Sequence, residues 1–502
     1  MNAIIITNKQ KVITSFLIIF FVGLGVRLYY FPFDLPLVID AIDYFTYATA
    51  INYYGYLPLE GSPANNGWSI FLSFWFSIIN LNDTLQYMQL QRILSIILSS
   101  LTIIPIYFLC RKFFNEKIAL VGAALFAFEP RIILNSLLGI TDPLFILLSI
   151  TSLVFFLRYR NKEIIISFLF ASLATVVRSE GIFLFFVLSI LFFIKYRFSK
   201  EILRTYLPAL VIFFLILTPI MIYKIEVNGT DAIFQRATGE TARLLSNTSQ
   251  EGTDQIVDGL ELFLIYLGWI MIPNFLIFVP FGIIQFFRNR TKETNFIIIV
   301  LIVTSLPILY AYISQAQDTR YLYALYPIFC LISLFAVKKY LSKISRKDIV
   351  ILLIIVGIFT SSIVFYELKK IDYEKEREFN EIGKIISKTA SGLNYHPDET
   401  RYIRASEIPN EWPFLFNDDN HKIKTISTSN YHNLNDFVSS SKSELTHLIV
   451  DENNQLPEFL SEIYYDEVKY EYLTKVFDSK EHGFSHHIML FEINFEKFDF
   501  KG

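Results

Sequence analysis

The stretch Ile349-Val-Ile-Leu-Leu-Ile-Ile-Val-Gly-Ile-Phe-Thr-Ser-Ser-Ile-Val-Phe-Tyr366 decides how this chain is read. Any helix built on it is apolar all the way round and has no polar face to turn toward water. It is also long enough for a bilayer core, which takes about 20 mostly apolar residues per helix. Lys338, Lys339, Lys343, Arg346 and Lys347 precede it, and beyond about residue 370 the composition becomes that of an ordinary soluble domain. The stretch is therefore read as the last membrane span and as the boundary of a second region.

Similar runs lie upstream. The expected spans are 12–31, 87–110, 117–134, 142–158, 163–178, 181–197, 206–224, 261–287, 295–313, 320–337 and 348–366, about eleven transmembrane helices. Only 18% of the chain is charged, whereas soluble domains carry about 25%. The first run is too long for a signal-peptide core and has no small-residue cleavage site, so it reads as a retained anchor. Residues 67–80 are apolar but short and rich in Ser, Trp and Phe, which suits a helix lying in the interface. The fold class expected is an α-helical polytopic membrane protein over 1–368, followed by a small extracytoplasmic α/β domain over 369–502. Its strands are expected at Lys422–Thr428, His447–Asp451, Lys469–Phe477 and His486–Phe495, after a charged helix from Asp372 to Lys388.

The charges orient the bundle. Lys9 and Lys11, Arg111 to Lys117, Arg158 to Lys162, Lys195 to Arg204, Arg288 to Lys292 and Lys338 to Lys347 recur at alternate span ends. Segment 32–86 holds Asp34, Asp40, Asp43, Glu60 and Asp83 and no Lys or Arg, and 225–260 is acid-rich. The positive-inside rule then makes the N-terminus cytoplasmic and puts loops 32–86 and 225–260 and the C-terminal domain outside. Sequons at Asn82, Asn228 and Asn247 fall in those outer loops. The net charge of −3 is sorted by position, and nothing in it points to a nucleic-acid partner.

All seven histidines (His396, His421, His432, His447, His482, His486 and His487) lie in the C-terminal region, so acid–base chemistry in the membrane half falls to carboxylates, lysine or tyrosine. The two cysteines, Cys110 and Cys330, lie in apolar runs and read as packing residues rather than a disulfide. In the first outer loop, Asp40-Ala-Ile-Asp43-Tyr44-Phe-Thr-Tyr47-Ala48 puts two carboxylates on one face of a helix. Partial burial would make either a better base; otherwise they are solvated loop acids beside an aromatic belt. Asp142, in Thr141-Asp-Pro143-Leu144, suits a helix start as well as a site.

Glu129 and Arg131, Arg178 and Glu180, Asp318 and Arg320, and Arg27 in the first span also gather at the outer ends. A charge inside a bilayer costs about 2.5–3.5 kcal/mol on insertion scales. Single arginines escape by snorkelling, but four outer arginines beside acids run against the positive-inside trend. Arginine is suited to phosphate, and an outer pocket with arginines and a carboxylate base suits a lipid-phosphate substrate.

These residues resemble the GT-C class of membrane glycosyltransferases, most closely the family of protein O-mannosyltransferases and lipid A aminoarabinose transferases. Asp40 to Ala48 resembles that family's acidic first-loop motif. Asn66-Gly-Trp-Ser-Ile-Phe-Leu-Ser73 looks like its interfacial helix. Thr141-Asp142-Pro143-Leu144, Arg178-Ser-Glu180-Gly181 and Arg320-Tyr-Leu-Tyr-Ala-Leu-Tyr326-Pro327 match later motifs, so the likeness covers about 1–340. The family's acids are often adjacent, whereas here Asp40 and Asp43 are three apart and compete for the base. The Trp-Trp-Asp-x-Gly signature of oligosaccharyltransferases is absent, and Glu411-Trp412-Pro413 does not replace it.

The resemblance implies an inverting transfer of sugar from a polyprenyl-phosphate donor to a protein or glycolipid acceptor outside the membrane. It implies Asp40, Asp43 and Asp142 as catalytic residues, and Arg27, Tyr44, Tyr47, Arg131, Arg178, Glu180, Arg320 and Tyr321 as substrate-binding residues. Membrane lipids are the remaining partner. No cofactor is required, and a divalent metal is compatible but not demanded. The rival classes are a lipid-linked sugar transporter or flippase, which would show interrupted helices in matching halves, and a non-catalytic membrane assembly protein.

Overall fold

The computed structural model describes residues 8–38, 40–59, 61–63, 65–81, 83–197, 199–229, 250–289, 291, 294–369, 373–390, 402–406, 422–428, 431–442, 445–452, 457–466 and 469–501. Asn82, Asn247, residues 230–249 of the second outer loop, His396, His421 and Glu411-Trp412 lie outside the described residues. The chain folds into two compact units. One holds 1–31, 43–79 and 91–370; the other holds 32–42, 80–90 and 371–502.

The first unit is helical. The chain begins with α1 (Asn8–Tyr29), α2 (Asp40–Tyr54), α3 (Gly67–Ile78), α4 (Thr84–Leu101) and α5 (Ile103–Phe113), of which the first residues of α2 and α4 count with the other unit. Then come α6 (Glu116–Ala127), α7 (Pro130–Leu137), α8 (Asp142–Phe156), α9 (Asn161–Val177), α10 (Ile182–Tyr196) and α11 (Leu207–Asn228). The last five are α12 (Gln250–Ile270), α13 (Phe275–Arg288), α14 (Asn295–Ile313), α15 (Tyr326–Leu341) and α16 (Lys347–Lys369). At the centre stands α6, buried without interruption from Ile118 to Ala127. Its small residues Ala119, Gly122, Ala123 and Ala124 let neighbouring helices approach closely, as packing among membrane helices requires.

Among the described residues, 7 helices are long and apolar enough to cross a membrane, or 9 if each of two bent pairs counts as one span. The remaining two expected spans, 142–158 and 163–178, correspond to α8 and α9, of 15 and 17 residues. At 1.5 Å per residue these reach about 22 and 26 Å, short of a hydrocarbon core of about 30 Å. Helix α3 has 12 residues; it buries Trp68, Leu72 and Phe76 and exposes Phe74 and Ile78.

Two expected spans are not straight. The run 117–134 bends by 50° between α6 and α7, and 261–287 turns by 110° between α12 and α13. Pro130 opens α7, and Pro273 follows Ile272 in the second break. Proline disfavours the helical region for the residue before it and cannot donate a ladder hydrogen bond. The backbone groups so released sit beside a buried polar network. The Tyr326 hydroxyl donates to the Ile270 carbonyl at 3.1 Å and lies 3.4 Å from Glu129 Oε1. Asn274 donates to Ser362 Oγ at 2.7 Å and accepts from Ser361 Oγ at 2.6 Å, tying the second break to α16.

In the second unit, five strands form one sheet: β1 (Tyr402–Ser406), β2 (Lys422–Ile426), β3 (His447–Asp451), β4 (Leu473–Asp478) and β5 (Ile488–Ile493), in the order β2-β1-β3-β5-β4. β1 runs parallel to β2 and β3, while β5 is antiparallel to β3 and β4. Phe379, Ile382 and Ile386 of the helix Glu374–Ala390 cover Ala405, Ile449, Phe477 and Leu490 in one core. A second core joins Phe437, Leu448, Phe459, Ile463 and Phe491. The expected α/β character is present, with one strand more than anticipated. β1 escapes a hydropathy reading because Arg404 interrupts a run of only five residues.

Candidate active site

Three helix ends of the first unit converge on one ion triad. Asp142 starts α8 with Pro143 in the first turn, and Arg178 ends α9 in extended backbone. Arg178 Nη1 contacts Asp142 Oδ1, and its Nη2 donates to Glu180 Oε1 at 3.0 Å. Asn135 of α7 donates to the other Asp142 oxygen at 3.2 Å. The Arg178 guanidinium also lies over the Phe145 ring, 5.6 Å from its centroid. The Asp142 side chain is 5% exposed and that of Arg178 15%. Charges so withdrawn from water persist only with partners at hand, and here the Arg178 cation faces the Asp142 and Glu180 carboxylates.

The triad opens onto a cleft whose open space is about 770 Å³. Its polar end holds Asp142, Arg178, Glu180, Arg320 and Tyr321; its walls include Phe145, Ile146, Phe183, Leu184, Pro307 and Ile308. Arg320 stands where a 3₁₀ helix, Thr319–Leu325, leads into α15. Its Nε donates to Asp318 Oδ2 at 2.5 Å, and its backbone N–H donates to Asp318 Oδ1 at 2.8 Å. A third of this ion pair stays exposed, 31% for Arg320 and 33% for Asp318. The cleft thus joins a buried arginine, a half-open one, and an apolar channel.

The first outer loop braces the triad. Trp68 Nε1 and Gln91 Nε2 both donate to the Gly139 carbonyl, at 2.8 and 2.7 Å. Gly139 has φ of 77°, a left-handed conformation that suits glycine. Asn65 Oδ1 accepts from the Ser179 N–H at 3.1 Å, one residue past Arg178. Gly67 is pressed against the backbone at Val176 and Val177, where any added Cβ would sit 2.7 Å from main-chain atoms. The Ser69 hydroxyl donates to the Tyr44 carbonyl at 3.0 Å, and the Tyr44 phenol is close enough to Arg178 to interact electrostatically.

The expected site residues divide accordingly. Asp142, Arg178, Glu180, Arg320 and Tyr321 come together at the cleft. Asp40 and Asp43 lie a turn apart at the start of α2, both exposed. Tyr47 is buried, sharing a 2.6 Å hydrogen bond with Tyr223 and donating to the Pro58 carbonyl at 2.9 Å.

Arg131 and Arg27 lie elsewhere. Arg131 contacts Glu129 at 3.7 Å, the Ile272 carbonyl and the Phe365 ring. Arg27 is completely buried; its Nη1 donates to the Gly23 and Ala127 carbonyls, both at 2.8 Å, and its Nε donates to Ser99 at 3.3 Å. Neither lines the cleft. Sequence reasoning missed Asn65, Asn135 and Lys224. Lys224 is 2% exposed and donates to Ser62 Oγ at 3.0 Å and the Pro63 carbonyl at 2.7 Å. A lysine closing an otherwise apolar span was the available signal. Among the described residues, no group of three His, Cys, Asp or Glu side chains is arranged to hold a metal ion. Both cysteines are buried free thiols.

Comparison with known proteins agrees with this architecture. The sequence profile of the dolichyl-phosphate-mannose-protein mannosyltransferase family matches residues 72–223. No curated protein sequence matches the chain. ArnT from Cupriavidus metallidurans, solved bound to undecaprenyl phosphate, superposes with a TM-score of 0.60 at 11% identity, covering 96% of this chain and 97% of that one. The oligosaccharyltransferase of Archaeoglobus fulgidus, solved with zinc and sulfate, superposes with a TM-score of 0.56 at 12% identity, covering 86% of this chain and 68% of that one. The archaeal oligosaccharyltransferase AglB from Archaeoglobus fulgidus, solved with an inhibitory peptide and a dolichol-phosphate, gives 0.54 at 11% identity over 88% and 69%. The chain is an integral membrane protein with the fold of the GT-C glycosyltransferases, and it resembles the dolichyl-phosphate-mannose-protein mannosyltransferase family in sequence over residues 72–223.

Proposed function

We propose that this chain is an inverting glycosyltransferase that moves a sugar from a polyprenyl-phosphate donor to a protein or glycolipid hydroxyl or amine on the outer membrane face. One observation carries the proposal: an apolar-walled cleft ends in two arginines on a GT-C fold. The donor's isoprenoid chain suits the apolar walls, and its phosphate suits the guanidinium groups. The lipids bound in two of the similar structures, undecaprenyl phosphate and dolichol-phosphate, are polyprenyl phosphates, the part of such a donor that the transfer leaves behind.

In the proposed reaction, Arg320 holds the phosphate from its exposed side. Arg178 faces the same anion, oriented by Asp142 and Glu180, and Asp142 therefore acts by positioning. Asp43 takes the acceptor proton as the acceptor heteroatom attacks the anomeric carbon. It is favoured over Asp40 because it is the sequence neighbour of Tyr44, whose phenol interacts electrostatically with Arg178. The bond from the anomeric carbon to the phosphate oxygen breaks as the new bond forms, and the electron pair leaves on the phosphate. A leaving group that is already an anion needs no general acid, and the arginines stabilise its added charge. The N-terminus is cytoplasmic in this scheme, and the C-terminal region is external.

The transporter reading gains the two interrupted helices, but their polar groups face one another in the protein interior. Glu129 and Tyr326 are fully buried, and Asn274 is 5% exposed. Purified protein, a polyprenyl-phosphate donor with labelled sugar and an extract of candidate acceptors test the choice. Covalently labelled acceptor supports the enzyme. Translocation of intact donor across a vesicle without product supports the transporter and overturns the proposal.

A further inference from the structure

A second pocket lies at the far end of α15 from Arg320. It is lined by Lys112, Lys117, Lys338 and Lys347, by the single acid Asp348, and by an apolar floor that includes Phe114 and Ile351. Its open space is about 1190 Å³. Four helix ends build it: the last turns of α5 and α15 and the first turns of α6 and α16.

The charge inside is unbalanced. Lys117 takes both oxygens of Asp348, at 2.7 and 2.6 Å. Among the described residues, no carboxylate pairs with Lys112, Lys338 or Lys347, and all three are exposed. The Lys338 ammonium lies over the Phe114 ring, 5.9 Å from its centroid, and that of Lys112 over Tyr159 at 5.7 Å, so aromatic faces hold both cations at the pocket. Beside the pocket, Tyr340, Ile349, Leu352 and Leu353 are 62%, 52%, 60% and 63% exposed. Three ammonium groups with no carboxylate partner among the described residues thus adjoin an apolar strip on the outside of a membrane helix.

We infer that this pocket binds the headgroup of an anionic phospholipid, with the acyl chains lying along the exposed flank of α16. The lysines match the phosphate, since basic recesses between membrane helices favour anionic headgroups. The apolar strip selects a lipid over a free phosphate, which would have no use for it. The general positive bias of this face does not require a pocket. Lys339, Lys343 and Arg346 contribute to the same bias without lining it.

That difference supplies the test. The full-length protein in neutral detergent is titrated with phosphatidylglycerol, phosphatidylcholine and inorganic phosphate, and bound adducts are counted by native mass spectrometry. Phosphatidylglycerol should bind at least about tenfold better than phosphatidylcholine. At about fivefold per lysine, the K112Q/K338Q/K347Q variant should bind it roughly 100-fold more weakly. K339Q/K343Q/R346Q, which removes equal charge outside the pocket, should stay within about threefold of the parent. Single K347Q, expected to lose about fivefold, replaces the triple variant if that variant melts early. Equal losses in pocket and control variants overturn the inference, as do equal affinities for the two lipids. Displacement of the lipid by equimolar inorganic phosphate also overturns it.

Discussion

Replacing Arg320 and Arg178 in turn by glutamine separates binding of the donor phosphate from stability of the bundle. The Arg320–Asp318 pair is about one-third exposed, and such pairs contribute about 0–1 kcal/mol to stability. R320Q should therefore melt within a few degrees of the parent. In the proposed reaction, however, it loses a charge-assisted hydrogen bond to the departing phosphate. Such bonds are worth about 1.5–3 kcal/mol, or roughly 10–150-fold in kcat/KM. R178Q differs because the Asp142 side chain is 5% exposed and loses its cation. Breaking a buried pair costs about 3–5 kcal/mol, so R178Q should lose both transfer and thermal stability. The assay is initial transfer rate against donor concentration, with a melting curve on the same preparation. If R320Q melts as early as R178Q, or keeps more than a third of parental kcat/KM, the assignment of Arg320 to the phosphate fails.

Three further outcomes are expected. D43N should lower transfer about 10²–10⁴-fold, as loss of a general base does, with D40N less affected; D43N retaining more than a tenth of parental activity would contradict the base assignment. G67A should cost about 1–3 kcal/mol through the clash with the Val176–Val177 backbone and displace Arg178, lowering transfer and melting temperature together; an unchanged melting curve would show that the close approach carries no strain. The third concerns acid. Burial pushes His447 down from 6.5 to about 4, so its contribution is complete above about pH 6.5 and is lost as pH falls toward 4. A shift of that size is worth about 3 kcal/mol.

Glu378 extends the acid loss. Burial alone would raise it, but hydrogen bonds from Ser485 and His486 hold it down to about 2, so its share disappears between about pH 4.5 and 2. Amide protection factors in β3, corrected for the intrinsic pH dependence of exchange, should fall across the upper window in the parent protein and not in H447N. The same pH dependence in both would assign the acid sensitivity elsewhere.

Much of this architecture was legible from hydropathy because a bilayer leaves few solutions for an apolar helix. Every expected span falls on helical backbone, some of it in two consecutive helices. The bends were not legible: hydropathy averages over Glu129-Pro130 and Ile272-Pro273 and carries no direction. Asp142, Arg178 and Glu180 were legible as charges stranded at helix ends, and the fold gathers them into one triad. Arg27 and Arg131 carried the same signal with a different outcome. The bundle supplied Arg27 with backbone carbonyls of α1 and α6, and Arg131 with a carbonyl at the second break. An arginine near a membrane surface declares a need for partners, and its neighbours in space decide whether those partners are main chain or ligand. Asn65 and Asn135 were silent because a neutral amide in a loop or short helix is unremarkable until its partner is known.

The Gly139 carbonyl, shared by Trp68 and Gln91, has a consequence for how this scaffold could change over time. Main-chain atoms at Gly139, Val176, Val177 and Ser179 anchor the arginine end of the cleft, so side-chain replacement alone cannot easily retune it. Ile146, Phe183 and Leu184 on the walls offer only apolar side chains to the cleft and are free to vary in size. Directed evolution toward a new lipid or sugar should therefore accumulate substitutions along the walls and leave the Gly139 junction untouched.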